Sequence, residues 1–149
     1  MTLSAPLRFE VLFFRGRAIL TPTPSQILLI DDSRTMRQLL RVYLMGGRYE
    51  FLEAESGVQG MEMLRANPCD LVIADVRMAD MDGIAFTQAV RAQEAGGGEK
   101  RRVPIVLITA DRAEDLRATG MRAGADCFLL KPLNSELVTE TVERLLNRA

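Results

Sequence analysis

Short apolar runs recur along the chain, and segments with helical spacing of apolar residues separate them. Each run is five or six residues long, which is the usual length of a β-strand. Runs that are apolar throughout are typical of strands covered on both faces, as in a parallel sheet. The sequence therefore predicts five buried strands, at residues 26–30, 49–54, 70–74, 103–108 and 126–130.

Between the strands, apolar residues return every three or four positions, as they do on one face of a helix. Helices are predicted around residues 36–43 and 58–64, at residues 83–95 and 112–122, and after Asn134, which can cap the last one. Strands that alternate with helices imply right-handed crossovers between parallel strands. The predicted fold is α/β, a flavodoxin-like doubly wound five-stranded parallel sheet with strand order 2-1-3-4-5.

The first 25 residues do not follow this alternation. Pro22 and Pro24 indicate an extended spacer ahead of the first strand. The sequence therefore predicts a flexible N-terminal extension at residues 1–25 and one domain at residues 26–149. An upstream misplacement of the start, a disordered leader and an added strand are all compatible with the extension. A second flexible segment is predicted at residues 96–102, where three glycines follow one another.

Composition narrows the function classes. The length of 149 residues predicts one domain. The net charge is −1 and both signs are interspersed, so we expect this domain to contact protein rather than nucleic acid or membrane. No segment has the length of a membrane span or of a signal-peptide core, and Cys69 and Cys127 lack motif spacing. We therefore expect a cytoplasmic protein with two reduced thiols. Since the chain contains no His, any bound metal is expected to have oxygen ligands.

Polar residues follow four of the five predicted strands, where ligands bind in such sheets. Each alone would be typical of a helix cap or a surface charge, but together they place three carboxylates at one rim. Such carboxylates repel one another unless a cation intervenes, which favours Mg²⁺. A carboxylate can also attack phosphorus, with a cation and a hydroxyl neutralising the phosphoryl oxygens. The residues are Asp31 and Asp32, Asp75, Thr109 and Lys131.

Residues 26–148 resemble a response-regulator receiver domain, particularly the single-domain chemotaxis type, through the segment Asp31-Asp32-Ser33-Arg34-Thr35-Met36-Arg37 and the other rim residues. The resemblance implies that Asp75 is the phosphoacceptor and that Lys131 pairs with the phosphoryl group. It also implies a cis bond between Lys131 and Pro132. For Mg²⁺ it implies four ligands: Asp32 and Asp75 directly, Asp31 through water, and the Arg77 backbone carbonyl.

The same resemblance implies a conformational switch, and two positions of this chain depart from the family's usual sequence. Thr109 and Phe128 match the switch pair, which in the family shifts a pre-existing equilibrium at the face of the fourth helix, fifth strand and fifth helix. Phe128 has no hydroxyl where Tyr is common, so its switching is expected to be steric. Ala79 replaces the usual Pro, so the loop after Asp75 is expected to be less rigid.

Arg77 and Asp111 lie two residues after Asp75 and Thr109 and carry opposite charges. We hypothesise that they pair across the pocket mouth, shield the phosphoryl group from water and lengthen its lifetime.

Partners follow from the same resemblance. A histidine kinase or a histidine phosphotransfer protein is expected to supply the phosphoryl group, since this chain has no His. Arg34, Met36 and Arg37, with the turn at Pro132-Leu133, are the expected docking surface. The last predicted helix ends near Ala149, so output is expected to pass through another protein. A chemotaxis regulator, a phosphorelay shuttle and a phosphate sink fit equally.

Two alternatives compete with this interpretation. The segment Asp80-Met81-Asp82 superficially resembles the nucleophile motif of haloacid-dehalogenase phosphatases, but no apolar strand directly precedes it and Asp82-Gly83 favours a helix start. A degenerate receiver that acts without phosphorylation is the second alternative, against which the full set of rim residues argues. The chain is thus expected not to be a conventional enzyme and to catalyse only its own phosphorylation and dephosphorylation.

Overall fold

A five-stranded parallel sheet forms the centre of the computed structural model, which describes residues 8–97 and 101–147. The strand order is β4-β3-β5-β6-β7, which is 2-1-3-4-5 when counted within the sheet. The predicted flavodoxin-like topology is therefore confirmed. The strands are β3 (Ser25–Ile30), β4 (Tyr49–Ala54), β5 (Leu71–Asp75), β6 (Ile105–Thr109) and β7 (Cys127–Leu130).

Five helices cover the two faces of this sheet. Alternate residues of β3 point to opposite faces, so that Leu28 and Ile30 belong to one core cluster, and Ile27 and Leu29 to the other. Residues of α2 and α3 complete the first cluster, and those of α1 and α5 the second. The helices are α1 (Arg34–Tyr43), α2 (Gly57–Ala66), α3 (Gly83–Ala95), α4 (Glu114–Ala123) and α5 (Ser135–Leu146).

Strand boundaries differ from the prediction by one or two residues. β6 begins at Ile105 rather than at residue 103, because Pro104 has no N–H to give to a ladder. Asp75 and Thr109, expected just beyond their strands, are instead the last residues of β5 and β6. The predicted cap of the last helix is confirmed, since the Asn134 side chain accepts a hydrogen bond from the Leu137 N–H.

A separate two-stranded antiparallel sheet precedes the domain, formed by β1 (Phe9–Phe14) and β2 (Arg17–Pro22). Arg15 and Gly16 form its two-residue turn, and both have positive φ, as a type I′ turn requires. Of the three explanations for the extension, an added strand is the one that this hairpin resembles most, although the hairpin forms a sheet of its own. Flexibility of the extension stays a prediction, and residues 1–7 lie outside the described residues.

The predicted loop at residues 96–102 is only partly described. Gly96 ends α3, Gly97 has a positive φ, and Arg101 and Arg102 are exposed, whereas residues 98–100 lie outside the described residues. Within the described parts of the chain, no helix is long and apolar enough to span a bilayer.

Candidate functional site

The carboxyl ends of the parallel strands bring the predicted polar residues to one rim of the sheet. Asp31 directly follows β3, Asp75 and Thr109 end β5 and β6, and Lys131 directly follows β7. Since β3, β5, β6 and β7 are neighbours in the sheet, the order of the strands alone places these side chains side by side. Asp32 comes next along the chain and completes an acidic cluster.

This acidic cluster consists of Asp31, Asp32 and Asp75. One carboxylate oxygen from each lies within 4.8 Å of the others. Asp31 and Asp75 are buried, whereas Asp32 is exposed, so the cluster opens to solvent on the Asp32 side. Burial raises the pKa of Asp31 to about 6, and the nearby negative charge of Asp75 adds to the effect. The Ser33 N–H, which donates to Asp31 at 2.8 Å, and the Lys131 charge act in the opposite direction.

Lys131 is the cation that reaches into this cluster. Its Nζ lies 3.0 Å from Asp75 Oδ2 and 3.9 Å from Asp31 Oδ2. One ammonium cannot balance three carboxylates, so the cluster keeps an excess of negative charge. A set of closely spaced oxygen donors with excess negative charge and one open side fits a hard divalent cation such as Mg²⁺. The bond between Lys131 and Pro132 is cis, as the resemblance implied.

Thr109 ends β6, the strand that lies between β5, which carries Asp75, and β7, which Lys131 follows. Thr109 is only 1% exposed. Its backbone carbonyl accepts a hydrogen bond from the Lys131 N–H at 2.8 Å, and its hydroxyl accepts one from the Asp111 N–H at 3.2 Å. Phe128 is buried in the core cluster on the α4 side. Its ring lies so near Gly120 that an added Cβ would approach it to 3.1 Å, so a larger residue there would displace the ring or the helix.

Arg77 and Asp111 meet across the mouth of the site, as hypothesised. The Arg77 guanidinium donates to Asp111 Oδ2 at 2.6 Å, although 71% of the Arg77 side chain is exposed. Hydrogen bonds from the Ala113 N–H and from Arg77 lower the pKa of Asp111 below its usual range, and the Arg77 charge adds to this. The Arg77 N–H also donates to Asp75 Oδ1 at 3.1 Å, which ties this loop to the acidic cluster.

Arg37 has a different place from the one expected for a docking residue. It is 6% exposed, and its guanidinium donates to the Asp31 backbone carbonyl at 2.6 Å and to Glu53 at 3.0 Å. Arg37 is thus an internal support of the strand end that carries Asp31. Sequence alone does not predict this role, because Glu53, the partner of Arg37, lies on β4 and is brought to α1 only by the fold. Of the other residues expected in the docking surface, Arg34 and Pro132 are exposed.

The residues of the phosphatase alternative have ordinary structural roles. Asp82 caps α3 by accepting from the Ala85 N–H at 2.7 Å, which confirms the predicted helix start. Asp80 is exposed and its carboxylate accepts from the Met81 N–H.

The two cysteines are free thiols, and burial raises the pKa of Cys69 to about 11. Such a thiol is a poor nucleophile near neutral pH.

A family model described as the response regulator receiver domain matches residues 27–143. The chain belongs to this family. Transcriptional regulatory protein ResD of Bacillus subtilis is 36% identical over 126 residues, which cover 84% of this chain and 49% of ResD. Transcriptional regulatory protein SrrA of Staphylococcus aureus is 32% identical over 124 residues, covering 83% and 48%. The receiver domain thus spans about half the length of these curated relatives.

Solved structures agree with this assignment. The chemotaxis response regulator CheY4 of Vibrio cholerae has a TM-score of 0.74 and 31% identity, covering 83% of this chain and all of CheY4 (100%). A signal receiver domain of a signal transduction histidine kinase from Syntrophus aciditrophicus has a TM-score of 0.72 and 29% identity, covering 82% and 89%. The chain is therefore a response-regulator receiver domain of two-component signalling, with relatives of the chemotaxis type.

Proposed function

We propose that this receiver domain accepts a phosphoryl group on Asp75 from a partner phosphohistidine. The observation that carries the proposal is the 3.0 Å contact between Lys131 Nζ and Asp75 Oδ2 within a cluster of three carboxylates. A lysine aimed at a buried aspartate would neutralise oxygens of a phosphoryl group attached there. The three carboxylates also leave an excess of negative charge at the rim, which an ordinary set of helix-capping residues would not have.

The transfer forms one bond and breaks another. A carboxylate oxygen of Asp75 attacks phosphorus, and the bond between phosphorus and the partner's imidazole nitrogen breaks, leaving the electron pair on that nitrogen. Lys131 and the Thr109 hydroxyl bind the phosphoryl oxygens. Asp32 and Asp75 would hold Mg²⁺ directly, Asp31 through water, and the Arg77 carbonyl as a fourth ligand. When bound, Mg²⁺ supplies positive charge that offsets the carboxylates and the incoming phosphoryl group.

Signal output is proposed to use the face of α4, β7 and α5. A groove of about 690 Å³ lies there, lined by residues that include Phe128 and Leu130. Leu130 and Leu137 are 41% and 49% exposed, which offers apolar area to a protein partner. Thr109 and Phe128 are proposed as the switch, with the Phe128 ring responding sterically to movement of Thr109.

The proposed phosphoryl donor is a histidine kinase or a histidine phosphotransfer protein. We propose that this receiver domain acts in the cytoplasm and does not contact nucleic acid directly.

The proposal is tested by labelling the purified protein with a small phosphodonor, with and without Mg²⁺. We expect Mg²⁺-dependent labelling of the wild type and at least about a 100-fold loss in Asp75→Asn, because the acceptor oxygen is gone. Asp115→Asn is the matched control, since Asp115 is exposed on α4 and lies outside the acidic cluster. Equal labelling of Asp75→Asn and the control would contradict the proposal, and no labelling of the wild type would favour the degenerate receiver.

A further inference from the structure

The register of the N-terminal hairpin divides its side chains into two unlike faces. Directly paired residues of antiparallel strands share a face, and faces alternate along each strand. Phe9 pairs with Pro22, Val11 with Leu20, and Phe13 with Ala18, so one face of the hairpin has only apolar side chains. We call this set the hairpin apolar face: Phe9, Val11, Phe13, Ala18, Leu20 and Pro22.

The opposite face of the hairpin is mixed. Its pairs are Glu10 with Thr21, Leu12 with Ile19, and Phe14 with Arg17. Both charged side chains of the paired strands therefore lie on this face and none on the apolar face. A hairpin with one mixed face and one uncharged face has the pattern of a sheet that is solvated on one side and covered on the other.

Nothing in the described residues covers the hairpin apolar face. Phe9 and Val11 are 52% and 53% exposed, Leu20 is 68% exposed and Phe13 is 78% exposed. A two-stranded hairpin is marginally stable in water unless a hydrophobic face packs against something else. The exposure and the uncharged pattern together indicate an interface.

The base of the hairpin is fixed to the receiver domain at the end of the sheet opposite the acidic cluster. The Arg8 guanidinium binds Asp70 at 3.1 Å, just before β5 begins, and the Arg8 carbonyl accepts from the Thr23 N–H at 2.8 Å. Strands β1 and β2 pair only with each other among the described residues, so both outer edges are also open. The attachment of the hairpin is thus remote from the acidic cluster, at the other end of the sheet.

We propose that the hairpin apolar face packs against the same face of a second copy of this chain. A whole Phe side chain has about 200 Å² of surface, and Val and Leu somewhat less, so the exposed fractions correspond to on the order of 500 Å² per copy. Two copies together bury on the order of 1,000 Å², the lower end for a specific interface. Interfaces of this small size are typical of weak, transient complexes, so we expect a dissociation constant on the order of micromolar.

Charge explains the choice of a second copy as the occupant. A symmetric interface brings each patch onto its own equivalent, so a charged patch would repel itself. The hairpin apolar face has no charge, whereas Glu10 and Arg17 stay in water on the other face. Two twisted hairpins stacked face to face make a four-stranded sandwich with its apolar side chains inside.

Sedimentation equilibrium of the full chain over about 1–200 µM tests the proposal, since this range brackets a micromolar dissociation constant. We expect the average mass to rise from 16.6 kDa towards twice that value. Val11→Glu should raise the dissociation constant at least about 10-fold, because it buries a charge in the interface. Leu12→Glu, at a neighbouring position of similar exposure on the other face, should change it by less than about 2-fold.

Phe13→Glu and Phe14→Glu form a second matched pair and decide the question if Val11→Glu unfolds the hairpin. A chain that stays monomeric at every concentration would overturn the proposal, as would equal effects within both pairs. Monomers that sediment with phospholipid vesicles would likewise overturn it and assign the face to a lipid surface. Labelling of Asp75 should be equal in all four variants, so failure here is separate from failure of the proposed function.

Discussion

Asp70 and Asp126 precede strands at the amino end of the sheet, whereas Asp31 and Asp75 stand at its carboxyl rim. Each amino-end aspartate has two arginine partners and one backbone N–H: Asp126 binds Arg91 at 3.0 Å, Arg102 at 2.6 Å and the Ile105 N–H at 2.8 Å. At the carboxyl rim, Asp31 and Asp75 share the single ammonium of Lys131, and the third carboxylate, that of Asp32, lies beside them.

Identical side chains thus have opposite charge balance at the two ends. The amino-end carboxylates are satisfied inside the protein and hold strands together, which is a structural task. The rim carboxylates have too little positive charge around them and can take more from outside. Charge balance therefore distinguishes Asp31 and Asp75, which are proposed to be functional, from Asp70 and Asp126 better than burial does, because all four have little exposed surface.

The largest expected effect is on the structural side of this comparison. Asp126→Asn should lower the free energy of unfolding by about 2 kcal/mol, because an amide has one acceptor oxygen and its NH₂ group must face a donor. Urea denaturation measures the change. Glu140→Gln, an exposed change on α5, is the control and should be nearly neutral. A neutral Asp126→Asn would break the comparison.

The same change at the rim should have the opposite sign. Asp31→Asn should raise the free energy of unfolding of the metal-free chain at pH 7 by about 1 kcal/mol, because it removes a carboxylate with an unfavourable charge. The folded pKa of Asp31, about 6, is above its unfolded value of 3.8, so the folded state binds this proton more tightly. The penalty in the wild type is complete above pH 6 and fades as pH falls towards 4.

Urea denaturation at pH 7 and pH 4.5 measures this difference between Asp31→Asn and wild type. Mg²⁺ should stabilise the wild type more than the variant, since a ligand that binds only the folded state adds stability. A variant less stable than wild type without metal would show that the rim charges are balanced after all.

The smallest expected effect concerns the pair at the mouth of the site. Arg77→Asn should shorten the lifetime of phosphorylated Asp75 by about two- to five-fold, because an exposed ion pair contributes at most about 1 kcal/mol. Loss of label from purified phosphoprotein measures it. Arg112→Asn, an exposed neighbour, serves as the control. An unchanged or slower loss of label in Arg77→Asn would reject the shielding role.

The rim could be predicted from sequence because strand alternation alone assembles it. Once five apolar runs alternate with helices, the carboxyl ends of the strands must meet, and Asp75, Thr109 and Lys131 come together without any side-chain detail. Arg37 and Arg91 could not be predicted in the same way. Each reaches partners on other elements, such as Asp126 for Arg91, and chain spacing gives no signal for such contacts.

The hairpin also escaped prediction for a local reason. Two-residue hairpin turns with positive φ at both positions favour Asn-Gly, whereas here Arg15 precedes Gly16. A side chain with a Cβ is disfavoured in that conformation, so the usual turn signal is absent. The apolar runs on either side were visible in the sequence, but their alternation into two faces requires the register.

The attachment of the hairpin at the amino end of the sheet bears on the avidity with which a dimer would bind a target protein. Strand β5 separates the Asp70 anchor from Asp75 by five residues, or roughly 17 Å at about 3.3 Å per residue. Copies joined through their hairpins would keep both acidic pockets accessible. Such a pair is bivalent: a target with two docking sites would meet the second pocket at a high effective concentration. Avidity could then rise with protein concentration while each pocket keeps its own affinity.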